Sequence, residues 1–116
     1  ALILCPESSA DTGYSQMLAG PAAFHTRLTR LISGRPARCL DNKFTALEAI
    51  AAKPVTPAYP VTYDAGKALH KAAIKQGDTG YGAYWAGQGA PLARAMPAQA
   101  LVMKLSEELK LAFSDI

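Results

Sequence analysis

Residues 77–94, GDTGYGAYWAGQGAPLAR, restrict the fold of this chain more than any other segment. The segment holds five glycines, the only tryptophan of the sequence (Trp85), two tyrosines, and Gln88 between two glycines. Glycine permits positive φ and lets a backbone N–H approach a ligand closely, but it weakens helices and strands. Aromatic rings and an amide side chain offer stacking and hydrogen bonding. The segment is therefore either a connection between helices with a buried tryptophan, or a wall of a ligand site.

Length and composition indicate one globular domain. The chain has 116 residues, of which 50% are hydrophobic and 18% charged, and its net charge of +3 comes from dispersed Lys and Arg. No basic run indicates nucleic-acid binding, and the longest apolar run is too short to span a membrane. Cys5 and Cys39 lack the spacing of a zinc site. Because nothing indicates secretion, two reduced thiols and a cytoplasmic location are expected.

The chain opens on an apolar run, ALILC, that reads as a buried strand. Parallel strands covered on both faces have this continuous apolar character. The rest of the chain scarcely supplies neighbouring strands, so we expect residues 1–7 to be a barrel strand and the chain to be the C-terminal part of a larger protein. In that case Cys5, Pro6 and Glu7 would lie at the end of the strand that faces a barrel site.

Helices and one hairpin account for the remaining pattern. Asp11 or Ser9 is expected to cap a first helix that ends at Gly20, and Asn42 or Asp41 is expected to cap the next helix. The hairpin comprises strands over residues 24–32 and 37–40 around a turn that contains glycine and proline. Further helices are expected over residues 43–52, 63–76 and 89–95 and from Pro97 onward, with a proline-rich extended loop before Pro60. The expected division is residues 1–7, 8–76 and 77–116.

Tyr59, Tyr63 and Lys67 follow one another at intervals of four. On the helix over residues 63–76, Tyr63, Lys67, His70 and Ile74 share one face. Two phenols and an ammonium suit a small anionic substrate, and His70 is conceivable as a general base. The alternative is a solvated face with an exposed lysine and two half-buried tyrosines.

Common nucleotide and nucleophile motifs do not occur. Gly80 and Gly82 lack the third glycine of a dinucleotide fingerprint, no strand is expected before them, and no GxxxxGK[ST] is present. Neither His25 nor His70 stands beside a Ser or Cys nucleophile signature.

Four motifs together resemble the nitronate monooxygenase family, formerly called 2-nitropropane dioxygenase, in its bacterial class I type. They are ALILCPES, SGRPAR, the Tyr-x3-Tyr-x3-Lys spacing and YWAGQGAPLAR, and they span nearly the whole chain in the family's order. The resemblance implies an α/β fold: the C-terminal portion of an FMN-binding TIM barrel, with residues 1–7 as its last strand, plus a mainly helical small domain with a β-hairpin. It places the phosphate-binding Gly-Thr and the catalytic His upstream, so no catalytic residue is assigned in this chain.

The resemblance also implies the chemistry. An alkyl nitronate such as propionate 3-nitronate would be oxidised with O₂ by way of an anionic flavin semiquinone, giving a carbonyl compound and nitrogen oxides. The substrate-side residues would be Tyr59, Tyr63 and Lys67. The residues matching the flavin-side motif are Tyr84, Trp85, Gly87, Gln88 and Gly89. The rest of the barrel would be the partner of this chain. A flavin-dependent NADH:quinone reductase of the same barrel and an inactive helical packing module remain open alternatives.

Overall fold

The computed structural model describes residues 2–50 and 55–116. Within them, four α-helices and one two-stranded antiparallel sheet alternate with short 3-10 turns. The helices are α1 (Thr12–Ala19), α2 (Lys43–Ala46), α3 (Val61–Lys75) and α4 (Ala98–Ser114), the strands are β1 (Thr26–Thr29) and β2 (Ala37–Leu40), and the 3-10 turns are Leu2–Leu4, Pro21–Phe24, Leu47–Ala49 and Ala90–Leu92. The predicted combination of helices with one β-hairpin is confirmed, while the division at residues 7 and 76 stays a prediction.

The hairpin forms around a glycine turn. Gly34 has a φ of 85°, which residues with a side chain rarely adopt, and its N–H donates to the Arg30 carbonyl at 2.8 Å. The strands pair in antiparallel register, with Thr26 opposite Leu40. β1 is shorter than the predicted strand over residues 24–32, because a 3-10 turn precedes it and the glycine turn begins directly after it.

A third stretch of chain, residues 84–86, pairs with the other edge of β2; we call it the bridging segment. The Leu40 N–H donates to the Tyr84 carbonyl at 2.8 Å, and the Ala86 N–H donates to the Arg38 carbonyl at 3.1 Å. This alternating pattern is that of an antiparallel ladder. The strand character of the bridging segment is hidden in the sequence, because glycines flank it on both sides.

The bridging segment separates two small apolar cores. Successive side chains of a strand point to opposite faces of a sheet, and Tyr84 accordingly joins one core while Trp85 packs against the other. Cys39 of β2 lies directly opposite Trp85. The first core contains the buried side chains of Leu18, Ala23, Leu40, Tyr84 and Ala90, and the second contains Ile32, Cys39 and Phe44.

Two helices begin at the caps that the sequence indicates. Asp11 is the N-cap of α1, and Asn42 is the N-cap of α2 in a reciprocal capping box with Thr45. The helix predicted over residues 43–52 ends earlier, because the chain passes through a 3-10 turn and becomes extended at Ile50. The end of that predicted helix lies outside the described residues.

The strand predicted for residues 1–7 is corrected. Leu2–Leu4 forms a 3-10 turn, and the Cys5 N–H donates to the Leu2 carbonyl at 3.1 Å. Among the described residues no strand pairs with this run, so its backbone groups are satisfied locally instead of in a ladder. The position of Glu7 also differs from the expectation, because its carboxylate accepts the Ala98 N–H at 3.1 and 3.2 Å and so caps α4.

The two long helices lie close to their predicted ranges. α3 ends just before Gly77, whose φ of 76° suits a helix terminus. Pro97 is the N-cap residue of α4 rather than its first helical residue. The helix predicted over residues 89–95 is only a 3-10 turn, which ends where Ala93 becomes extended. No helix within the described ranges is long and apolar enough to cross a membrane.

Candidate functional site

A cavity of about 180 Å³ lies between α1, α3 and the bridging segment. Most of its lining surface is apolar, but we call it the polar cavity after the polar or charged side chains that line it, those of Asp11, Tyr14, Tyr63, Lys67, His70 and Tyr84. Three of the four residues on the predicted face of α3 line it, whereas Ile74 does not. The face predicted from helical spacing is therefore a cavity wall rather than a fully solvated surface.

Lys67, Tyr63 and Trp85 form a continuous row, which we call the cation–aromatic row. The Lys67 Nζ lies 4.4 Å from the centre of the Tyr63 ring, within cation–π range. The Tyr63 and Trp85 ring centres are 6.2 Å apart, with their planes inclined at 40°. Lys67 also pairs with Asp64 at 3.3 Å, but its side chain is 60% exposed. Because an exposed ion pair is weak, the ammonium remains available to a competing anion.

Tyr59 lies outside the polar cavity. Its ring packs under the guanidinium of Arg35, with 4.6 Å between the guanidinium carbon and the ring centre. The hairpin turn approaches it closely, since a Cβ added to Gly34 would lie 2.7 Å from the Tyr59 nitrogen. The structure thus brings Tyr63 and Lys67 together at the cavity and places Tyr59 at the hairpin turn, beside a second cation.

Asp11 organises the hydrogen bonds of the polar cavity. Its Oδ1 accepts the Tyr14 N–H at 2.8 Å and lies 3.0 Å from the Tyr84 hydroxyl, while its Oδ2 lies 3.3 Å from His70 Nε2. The Tyr84 hydroxyl is also 2.8 Å from the Thr79 carbonyl, so its single proton faces two acceptors. Burial, together with the Asp11 carboxylate, raises the pKa of Tyr84 well above its usual value, which keeps this phenol neutral.

His70 contacts the N-cap residue of α1, Asp11, through its Nε2. Its imidazole edge packs on the Tyr84 ring, with 5.8 Å between centres and planes at 89°. Its Nδ1 is the one buried side-chain nitrogen or oxygen without a hydrogen-bond partner in the described part of the chain. The geometry therefore gives His70 a place in the Asp11 network, and general-base action by it stays a prediction.

A second cavity, of about 380 Å³, lies beside Trp85 and the glycines that follow it. We call it the open cavity. Trp85, Leu18 and Leu105 contribute to its largely apolar lining. A Cβ added at Gly87 or Gly89 would meet no described atom within 4 Å, and neither glycine has a positive φ. An apolar aromatic wall with accessible backbone fits the flat ring system of a flavin.

The five predicted flavin-side residues divide into two groups. Tyr84 is 1% exposed and belongs to the core, whereas Gly87, Gln88 and Gly89 are exposed and Trp85 is half-buried. The nearby cation Arg94 is engaged by both carboxylate oxygens of Glu108, at 2.8 and 3.1 Å. Arg94 is therefore already paired, and the wall beside Trp85 is largely apolar.

Sequence reasoning missed two contributors to the polar cavity, Asp11 and Tyr14, and one glycine that packs beside it. Asp11 is predicted only as a helix cap, and Tyr14 is predicted only as a helix residue. Gly13 is buried between them and the loop, since a Cβ there would lie 2.7 Å from the Tyr84 hydroxyl oxygen. A signal exists for Gly13, because a glycine in the first turn of a helix is unfavourable unless a close approach requires it.

Both cysteines are free and buried. Cys39 lies fully inside the second core, and burial raises the pKa of its thiol to about 11. It is thus an inert, protonated thiol at neutral pH. Over residues 2–50 and 55–116, no group of His, Cys, Asp and Glu is arranged to hold a metal ion. The two cavities instead present the ammonium of Lys67, phenol hydroxyl groups and the aromatic ring of Trp85.

Comparison with known proteins identifies the family to which this chain is similar. The family model described as nitronate monooxygenase matches residues 1–108. A nitronate monooxygenase of Paraburkholderia phytofirmans is 50% identical over 116 residues, which are 100% of this chain and 32% of that protein. One of Pseudomonas aeruginosa is 49% identical over 110 residues, covering 95% of this chain and 31% of that protein.

A solved structure is similar over the full chain. It is that of nitroalkane oxidase from Streptomyces ansochromogenes, with a TM-score of 0.86 and 40% identity, and it is covered to 33% by this chain. The chain therefore spans about a third of the length of these relatives. Its helices and hairpin match part of the family's TIM-barrel fold. With the family model matching residues 1–108, the chain belongs to the nitronate monooxygenase family.

Proposed function

We propose that the protein containing this chain is an FMN-dependent nitronate monooxygenase that oxidises alkyl nitronates, such as propionate 3-nitronate, with O₂. The observation that carries the proposal is the cation–aromatic row. It runs from the weakly paired ammonium of Lys67, over the Tyr63 ring, to Trp85 at the open cavity. A nitronate is a small anion, and this row offers it a positive charge next to an aromatic wall.

Each predicted substrate-side residue has a separate role in the proposal. Lys67 attracts the anionic oxygens of the nitronate, and Tyr63 positions them by hydrogen bonding from its hydroxyl. Tyr59 orients or gates the substrate from the hairpin turn, where Arg35 adds a second positive charge. The Tyr63 ring excludes water from one side of the ammonium, which strengthens its attraction to an anion.

The flavin side would be formed by Trp85, Gly87, Gln88 and Gly89, with Tyr84 anchoring them from the core. When bound, FMN would supply the acceptor that takes single electrons from the nitronate and passes them to O₂. The chain's own contribution is to hold the ring against an apolar surface and to keep bulk water from the reacting atoms. The proposal also includes a remaining barrel that carries the phosphate loop and the catalytic His. It further includes a cytoplasmic location for the protein.

Lys67→Met in the full-length enzyme tests the substrate role. We expect KM for propionate 3-nitronate to rise about 5- to 10-fold with little change in kcat, the lower part of the range for a charge-assisted hydrogen bond, because the ammonium is exposed. Lys71→Met, one turn further along α3 and also exposed, is the matched control and should leave KM unchanged. Equal KM values for both variants and the wild type would remove Lys67 from the site.

The reaction itself is tested by anaerobic mixing of the full-length protein with each reductant. Nitronate should bleach the flavin rapidly and NADH should not. Rapid reduction by NADH, with none by nitronate, would contradict the proposal and support the NADH:quinone reductase alternative.

A further inference from the structure

The backbone carbonyl of Trp85 lies on the outer edge of the bridging segment. Trp85 and Cys39 form a directly opposed pair, and the hydrogen bonds to β2 are made by the residues on either side of Trp85. In such a pair the N–H and C=O groups of the opposed residues point away from each other. The Trp85 N–H is satisfied by the Ala83 carbonyl at 3.1 Å. The Trp85 carbonyl therefore needs a partner from another element.

That partner is Tyr14 of α1, whose hydroxyl donates a short hydrogen bond to the Trp85 carbonyl. The Tyr14 ring is itself fixed, because it stacks on Tyr84 with 4.9 Å between centres and 16° between planes. Tyr84 is in turn held through its hydroxyl by Asp11, the cap of the same helix. Burial is the main cause of a raised pKa for Tyr14, so its phenol remains a proton donor.

We propose that Tyr14 is a positioning residue for the cation–aromatic row: its hydroxyl holds the Trp85 carbonyl and thereby sets the Trp85 ring against Tyr63. Tyr14 acts through the Trp85 backbone and needs no contact with substrate or flavin. The proposal rests on the proposed function, since it assigns Tyr14 an effect on the substrate that the row binds.

Tyr14→Phe in the full-length, flavin-loaded enzyme is the test. Loss of one neutral hydrogen bond should raise KM for propionate 3-nitronate about 3- to 10-fold, with a smaller change in kcat, because the row forms part of the binding surface. Backbone amides in the peptide over residues 84–90 should exchange with solvent faster than in the wild type. Tyr81→Phe is the matched control, since Tyr81 is also half-buried and its hydroxyl makes no hydrogen bond to a described residue.

A purely structural role for Tyr14 would lower the unfolding temperature and leave KM of the folded enzyme unchanged. Either unchanged KM or unchanged exchange of residues 84–90 in Tyr14→Phe would therefore overturn the proposal, because Tyr14 also lines the polar cavity and could affect KM directly. Tyr84→Phe is the second variant, which loosens the ring on which Tyr14 stacks, and it should raise KM by a smaller factor than Tyr14→Phe. Should the wild type fail to oxidise nitronates, the proposed function fails, and the exchange rates of residues 84–90 alone decide whether Tyr14 positions Trp85.

Discussion

Two pairs of glycines in the glycine-rich segment have opposite surroundings. A Cβ added at Gly82 would lie 2.1 Å from the Tyr84 ring, and one at Gly80 would lie 2.7 Å from the Lys43 side chain. At Gly87 and Gly89, the same addition meets no described atom within 4 Å. The backbone does not explain the second pair either, because neither residue has a positive φ.

Within a single segment, the two pairs distinguish glycines that have close neighbours in the structure from glycines that have none. Gly82 is required by the protein's own core, because the Tyr84 ring folds back over it. At Gly87 and Gly89, neither a neighbouring atom of the described residues nor a positive φ requires a glycine. Under the proposed function a flavin ring would lie against the open cavity beside them, and the contrast between the two pairs can be tested by adding one methyl group at a time.

The largest effect is expected at Gly82. Gly82→Ala forces the Tyr84 ring out of its position in the first core, and overpacking of this kind should lower the free energy of unfolding by about 3 kcal/mol. Urea denaturation of the full-length protein, with Gly87→Ala as the control, measures it. A loss equal to that of the control would mean that the ring can move aside, and the contrast between the two pairs would disappear.

The second core, which contains Cys39, should also lose stability at alkaline pH. The pKa of Cys39 rises from 9.0 to about 11 on folding, so above pH 9.0 the unfolded thiol ionises while the folded thiol stays protonated. The unfolded state then binds fewer protons, and stability should fall by up to about 1.4 kcal/mol per pH unit between these two values. Urea midpoints across this range test the expectation, and Cys39→Ala should flatten the dependence. An equally steep fall in that variant would assign it to other groups, such as Tyr14 and Tyr84, whose pKa values are also raised.

The smallest effect on stability is expected at Gly87 and Gly89. Gly87→Ala and Gly89→Ala should each change the free energy of unfolding by no more than about 0.5 kcal/mol, as for exposed positions without special geometry. Both should nevertheless weaken FMN binding by the full-length protein about 10-fold, since a methyl group would stand between the backbone and the ring. Flavin release, followed by fluorescence during dialysis, measures the affinity. Unaltered affinity in both variants would leave the open cavity without a ligand.

Local signals predicted much of the fold. Asp11 and Asn42 are side chains that cap helices, Gly34 supplies the left-handed turn of the hairpin, and Gly77 marks the end of α3. Each of these signals acts over a few residues, so it can be read without knowing what the chain packs against. The helical spacing of Tyr63 and Lys67 likewise predicted a shared face, and both line the polar cavity.

Features that depend on distant partners could not be predicted. The bridging segment is too short, and too closely flanked by glycines, to read as a strand until β2 is seen beside it. Leu2–Leu4 reads as a strand on composition, yet it adopts a 3-10 turn because no described strand pairs with it. The Tyr14 contact with Trp85 joins residues far apart in sequence, and neither residue type signals the other.

The bridging segment has a consequence for the order of folding. β1 and β2 are joined by a short turn and can pair early, whereas the bridging segment reaches β2 only after the chain between residues 40 and 84 has closed into a loop. Closing a long loop carries a larger entropic cost than forming a hairpin, so contacts of this kind form late. We therefore expect Trp85 to take its place after the hairpin is complete, so that the wall proposed for the flavin assembles later than the hairpin.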